Sequence, residues 1–174
     1  MLYRMTSRCT YPLEKIISGG QTGVDRAALD VALHHRFPCG GYCPKGRKAE
    51  DGTIHDRYPL TEHTSADYAK RTLANIVHSH GTLIIYSQVM KGGTALTADY
   101  CSQHERPFLL LNAHRQDSAQ AAGLALEFFR KFDVRCLNVA GPRHSQWAAG
   151  YRYTYHCMDR ILKTCLQRNE PLSS

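Results

Sequence analysis

No apolar run in this chain is long enough to cross a bilayer, and no secretory apolar segment follows the first residues. The reading is a cytoplasmic protein with no membrane partner. A basic tail or stripe is also missing. Lys and Arg outnumber Asp and Glu by 22 to 15, a formal net charge of +7, yet the cations are scattered. That excludes an evident nucleic-acid platform and favours a small anionic partner. Internal repeats and low-complexity segments are absent. The seven cysteines (Cys9, Cys39, Cys43, Cys101, Cys136, Cys157 and Cys165) are odd in number and irregularly spaced. Reduced thiols fit better than a disulfide framework. Cys39-x3-Cys43 and Cys101-x2-His104 match no common zinc spacing, so no metal ligands are assigned. No Gly-x-Ser-x-Gly elbow is present, which weakens any Ser/His/Asp hydrolase reading.

What the chain does contain is an alternation of short apolar runs and longer amphipathic segments, in a length suited to one domain. Residues 1–14 lack periodicity and are expected to form a loosely held arm, with a single domain over 15–174. Strand-like runs fall at Ile16-Ile17, 82–86, 107–111 and 136–140. Helical patterns fall at 24–35, 66–78, 95–104, 118–132 and 148–167. Thr64 or Ser65 is the expected cap of the second helix, and Leu124, Phe128 and Phe132 share one face of the fourth. Residues 40–63 read as a long polar segment of the lid or binding-loop kind. The alternation predicts an α/β, Rossmann-like three-layer sandwich: a mostly parallel sheet of about five strands with helices on both faces.

Three turns stand at predicted strand carboxyl ends, at 18–23, 88–94 and 141–145, where ligands of parallel sheets gather. The first, Ser18-Gly19-Gly20-Gln21-Thr22-Gly23, opens into a helix carrying Asp25 near its start. Small residues there expose backbone amides, and the helix adds its positive dipole end, so an anion such as phosphate is favoured. The spacing is neither a Walker A loop nor G-x-G-x-x-G. Gly92-Gly93-Thr94, with Thr97, forms a second amide nest facing the first. Lys45, Arg47 and Arg143 are the candidate charge partners. A structural tight turn, a solvated basic loop and an ordinary helix-start acid are the plainer readings of the first turn, the Lys45–Lys48 run and Asp25.

With these motifs in view, the chain resembles the small Rossmann-like, SLOG-type proteins known as putative molybdenum-cofactor carriers. The resemblance rests on the segment from Ser18 through Asp30, on Cys43-Pro44-Lys45-Gly46-Arg47 with Ala49-Glu50-Asp51-Gly52, on Gly92-Gly93-Thr94, and on 137–143. It implies a cytosolic homo-oligomer that binds a pterin phosphate, the molybdenum cofactor, or an oxyanion such as molybdate. Two departures stand out: His80 and His144 occupy positions where the family pattern has acids, which shifts local charge in the positive direction. A more distant similarity, to cytokinin-activating nucleotide phosphoribohydrolases, supplies an alternative. It would make Asp99 the carboxylate that stabilises a cationic sugar and Arg71 the phosphate holder, both catalytic.

Overall fold

The computed structural model describes residues 11–167. Its frame is five parallel strands in the order β2-β1-β9-β7-β8. These are β1 (Lys15–Ile17), β2 (Cys39–Gly40), β7 (Gly81–Tyr86), β8 (Phe108–Asn112) and β9 (Cys136–Ala140). Five helices accompany them: α1 (Val24–His34), α2 (Tyr68–Val77), α3 (Gly92–Gln103), α4 (Ser118–Phe132) and α5 (Gly150–Gln167). Helices α1, α4 and α5 pack together on one face, and α2 pairs with α3 on the other. Right-handed crossovers require this division. The chain steps leftward from β1 to β2 through α1, but rightward from β7 to β8 through α3. The Rossmann-like sandwich is therefore the architecture found.

The last strand in sequence, β9, is inserted at the centre, with Ile16 paired to Leu137 and Leu83 to Val139. Strand β7 is covered on both faces, and Leu83, Ile84 and Ile85 are fully buried, as a continuous apolar run in a parallel sheet should be. Strand β8 is likewise an apolar run but ends the sheet, and Leu110 stays 38% exposed. The main core joins Ile16, Leu83, Ile85, Val139, Phe129 and Met158.

Several local expectations are corrected. Helix α2 is capped by Asp67, whose Oδ1 accepts from Ala69 N at 2.9 Å. Ser65 instead accepts from the Asp67 amide at 3.1 Å, so it shapes the approach to the cap. Helix α3 begins at Gly92, which turns the supposed second glycine loop into a helical first turn. Helix α4 keeps its predicted bounds, fixed by an Asp117/Gln120 capping box. Of the three expected on one face, Phe128 is buried with Ala121, Ala122, Ala125 and Phe129, while Leu124 and Phe132 are exposed. The small alanine stripe allows the close approach to the sheet and α5. The supposed arm is anchored over its described part: Leu13 joins the core, and Tyr11 Oη accepts from Arg130. Residues 1–10, the rest of that arm, lie outside the described residues, as does Cys9.

The long polar segment is folded too. It carries the parallel pair β3 (Tyr42–Cys43) and β6 (Thr61–Glu62), and the hairpin β4 (Lys48–Ala49) with β5 (Gly52–Thr53). Leu29, Cys43, Ile54 and Tyr58 form a small second core beneath it. Among the described residues no helix is long and apolar enough to cross a membrane.

Candidate functional site: a cationic cleft at the sheet's carboxyl edge

Strands β1, β9 and β7 are adjacent, so their carboxyl-terminal turns meet along one rim. Between them and the amino ends of α2 and α3 lies a cleft of about 90 Å³. Gly19, Gln21 and Asp25 form one wall, Tyr68 and Arg71 a second, Gly93, Thr94 and Thr97 a third, and Asn138 and Arg143 close the base and mouth. At roughly 10–15 Å³ for each water-sized group, this volume suits a tetrahedral anion rather than a whole cofactor.

Arg71 is the central cation. Its side chain is only 12% exposed, and Nη1 stands 3.3 Å from Asp25 Oδ2. Burial pushes the Asp25 carboxyl above its ordinary range, against the pull of Arg71 and of amide hydrogen bonds from Gln21 and Gly141. Arg71 Nε is buried without a hydrogen-bond partner, and so is Gln21 Nε2 in the opposite wall. Gln21 Oε1 is already engaged, accepting from the amides of Thr22 and Glu50. Two orphaned donors on residues that line one small cleft are unusual in a folded protein. The guanidinium carbons of Arg71 and Arg143 lie 5.7 and 6.0 Å from the Tyr68 ring centre, which draws both cations to the mouth.

Glycine is needed at the first turn for two reasons. A Cβ on Gly19 would lie 1.4 Å from Arg71 Nη1, so only glycine leaves the guanidinium its place. Gly23 has φ +80°, and its Cβ would meet the Pro142 carbonyl at 2.7 Å, so it holds the first turn against the 141–145 turn.

The cleft thus collects Gly19, Gln21, Asp25, Gly93, Thr94, Thr97 and Arg143 from the residues singled out in the sequence, together with Arg71. It does not collect the others. Ser18 is buried beneath the turn, where its hydroxyl accepts from the Gly20 amide at 3.2 Å. Gly20 packs against Leu60 and Ile54. Thr22 and Gly23 face a separate groove on the other side of the turn. Gly92 is exposed at the start of α3. Lys45 is exposed away from the cleft. Arg47 spends its guanidinium on the carbonyls of Ile54, His55, Tyr58 and Leu60, at 3.0–3.2 Å, and is the clasp of the 40–63 segment rather than an anion ligand.

Asp99 is exposed on α3, while Thr94 and Thr97 face inward, so Asp99 does not line the cleft that Arg71 enters. Helical spacing decides this: two residues beyond Thr97 is more than half a turn away. His80 precedes β7 at the opposite sheet edge, where Nδ1 accepts from the Cys136 amide at 2.9 Å. Its change of charge does not reach the cleft. His144 is exposed, its amide donating to Thr22 Oγ1 at 3.1 Å.

Glu50 is the residue that sequence reasoning missed as a contributor. It accepts from the hydroxyls of Thr22 and Ser145 and, at 3.1 Å, from the Ser145 amide. One carboxylate thereby ties together the β4–β5 hairpin, the first turn and the 141–145 turn. Burial would raise its pKa, but the two hydroxyls, the amide and nearby Arg143 together hold it below the usual range. Only its place in the quoted Ala49-Glu50-Asp51-Gly52 motif hinted at a role.

A model of the circularly permutated YpsA SLOG family matches residues 16–162, a span containing all three turns and both cleft arginines. The chain belongs to that family. Among solved structures, this SLOG protein is similar to the crystal structure of a putative molybdenum carrier protein from Syntrophus aciditrophicus SB. The two are 42% identical with a TM-score of 0.86, and the match covers 87% of this chain and 96% of the other. No curated protein matches.

Among the described residues no group of three or more His, Cys, Asp and Glu side chains could hold a metal ion. The cleft's donors are guanidinium, amide and hydroxyl groups. Those donors suit the oxygens of an anion, whether phosphate or molybdate.

Proposed function

We propose that this SLOG protein binds a small ligand through a tetrahedral oxyanion seated in the cleft. The anion is either the phosphate of an organic ester or a free oxyanion of the molybdate type. The observation that carries the reading is the pair of buried, partnerless donors, Arg71 Nε and Gln21 Nε2, in facing walls. An anion's oxygens would supply both missing acceptors, and Arg143 would add charge at the mouth. The name of the similar crystal structure points the same way, toward a molybdenum-containing cargo. The residues fit such a cargo as an oxyanion or through a cofactor's phosphate, since the wall offers donors and no set of metal ligands. With Asp99 turned away, retention of the ligand is favoured over cleavage.

Calorimetry with inorganic phosphate, molybdate and ribose 5-phosphate, beside native mass spectrometry of the purified protein, tests this reading. Binding by at least one class is expected, with an upward shift of Tm. At one hundred times Kd the stabilisation is about 2.7 kcal/mol. No heat, no thermal shift and no co-purifying mass would reject it.

A further inference from the structure

Behind the glycine turn lies a groove of about 610 Å³. Cleft and groove share no lining residue, yet they stand back to back on the same two turns. Gln21 and Arg143 line the cleft, while their chain neighbours Thr22 and His144 line the groove. Occupants of the two sites do not compete for a side chain.

The groove holds three carboxylates, and each is already engaged within the chain. Asp30 Oδ1 accepts from Arg57 Nη2 and from the Tyr58 hydroxyl, both at 2.8 Å, and Oδ2 accepts from the Tyr151 hydroxyl at 2.7 Å. Asp51 accepts from Arg26 through both oxygens, at 2.6 and 3.2 Å. Glu50 is held by Thr22 and Ser145. Two of the cations are less committed. Arg57 bonds through Nη2 alone, to Asp30 and the Tyr58 hydroxyl, and its side chain is 57% exposed. Arg152, exposed on the first turn of α5, has no acid or carbonyl partner among the described residues, and neither does the exposed ring of His144. The unused capacity of the groove therefore lies in guanidinium donors, which suit carboxylate acceptors.

Apolar surface lies among these cations. The Arg57 guanidinium carbon stands 4.7 Å from the Tyr58 ring centre, and Tyr151 stacks on Tyr155 with ring centres 6.1 Å apart. Ala148 adds an exposed methyl. Tyr and Arg are enriched at the hot spots of protein–protein interfaces.

We infer that this groove docks an acidic segment of a partner protein, with carboxylates meeting Arg57 and Arg152 and an apolar side chain resting against Tyr151 and Ala148. Charge selects the partner. A second copy of this chain carries the same formal +7 and is opposed. A nucleic acid presents a continuous row of phosphates, which the three carboxylates set among the cations oppose. Separate carboxylates on a peptide avoid them. The groove needs nothing from the anion cleft, so either site can fail alone.

A random peptide library displayed on phage tests the groove on the full chain, with recovered peptides measured by fluorescence anisotropy. These peptides should be rich in Asp and Glu and carry an aromatic or aliphatic residue. Arg152→Glu should weaken them at least about tenfold, as reversal of one charge in a contact pair predicts. An acid in the first turn of a helix is itself favourable, so this variant should fold. Ala148→Trp should weaken them as well, by filling the groove from an exposed position. Saturating phosphate and Arg71→Ala should leave peptide affinity unchanged. Failure to enrich any peptide, or enrichment of neutral or basic ones, would overturn the groove. Acidic peptides indifferent to both Arg152→Glu and Ala148→Trp would do the same. Acidic peptides displaced by phosphate and lost with Arg71→Ala would overturn the groove and support the anion cleft. Displacement of the peptides by oligothymidylate would assign the groove to nucleic acid, and a dimer in sedimentation that Arg152→Glu dissociates would assign it to a second copy; either overturns the partner segment. Peptide binding as expected in a protein that binds no anion would keep the groove and reject the anion reading.

Discussion

Arg71 on α2 reaches across the cleft to Asp25 on α1, placing Nη1 3.3 Å from Oδ2, directly over the Cα of Gly19. The pair joins the two layers of helices through the carboxyl edge of the sheet. It is an incomplete pair: the contact is long, and Nε remains without an acceptor. The guanidinium is therefore held at Nη1 while its Nε stays buried and unpaired.

Removing that cation should separate binding from folding. Arg71→Ala is expected to weaken phosphate or molybdate affinity at least about tenfold, as loss of a charged hydrogen bond predicts. It should also destabilise the fold by roughly 1–3 kcal/mol at neutral pH, since Asp25 is left buried and unpaired. Adding Asp25→Asn should restore stability without restoring binding. Denaturant unfolding and calorimetry on the two single variants and the double variant check the cycle. Recovery of binding in the double variant would contradict the assignment of Arg71.

The Asp25 carboxyl gives the protein a pH dependence of definite sign. Burial raises its pKa in the folded state above the unfolded value of 3.8. The folded protein therefore holds this proton more tightly. Its contribution to stability is full below the unfolded value and is lost as pH rises through the raised folded value. The stability difference between wild type and Asp25→Asn should fall with rising pH across that window. Anion affinity should decline over the same window as the ionised carboxylate neutralises Arg71. A flat difference in urea unfolding from pH 4 to 8 would count against this.

Two glycines in one turn should respond differently. In Gly19→Ala the new methyl meets the movable end of Arg71, so the fold survives and anion affinity falls. In Gly23→Ala the backbone itself is left-handed and the obstacle is the Pro142 carbonyl. That variant should lose at least about 1 kcal/mol of stability. Thermal unfolding beside phosphate titration distinguishes the two patterns.

Glu50 should act as a fastener of exposed loops. Glu50→Ala is expected to speed amide exchange at Ser145 and His144 while leaving the sheet's core amides unchanged. Because its hydrogen bonds hold the carboxyl pKa low, the fastening exists above the ordinary glutamate range and is lost as pH falls through the depressed folded value. Hydrogen exchange read by mass spectrometry at neutral and acid pH measures both effects.

Sequence alone determined the repeating elements of this protein, because they depend on local periodicity and capping. Ser118–Phe132 and Cys136–Ala140 have the bounds that their apolar spacing and polar flanks dictate. The glycine-rich turn entering α1 was legible for the same reason: glycines between a strand and a helix have a local conformational meaning. The anion seat at that turn was an expectation from the same residues, and seven of the residues chosen line one cleft.

Tertiary structure decided the rest. The insertion of β9 between β1 and β7 brings Asn138 and Arg143 beside Gly19, though more than one hundred residues separate them. Arg47 and Arg71 are alike as letters in a sequence. One is used up on four carbonyls, and the other lines the cleft with its Nε buried and unpaired. Asp99 and Thr97 are two residues apart yet on different sides of one helix. Which cations and acids are available for chemistry depends on what surrounds each side chain, and those surroundings are made by residues distant along the chain.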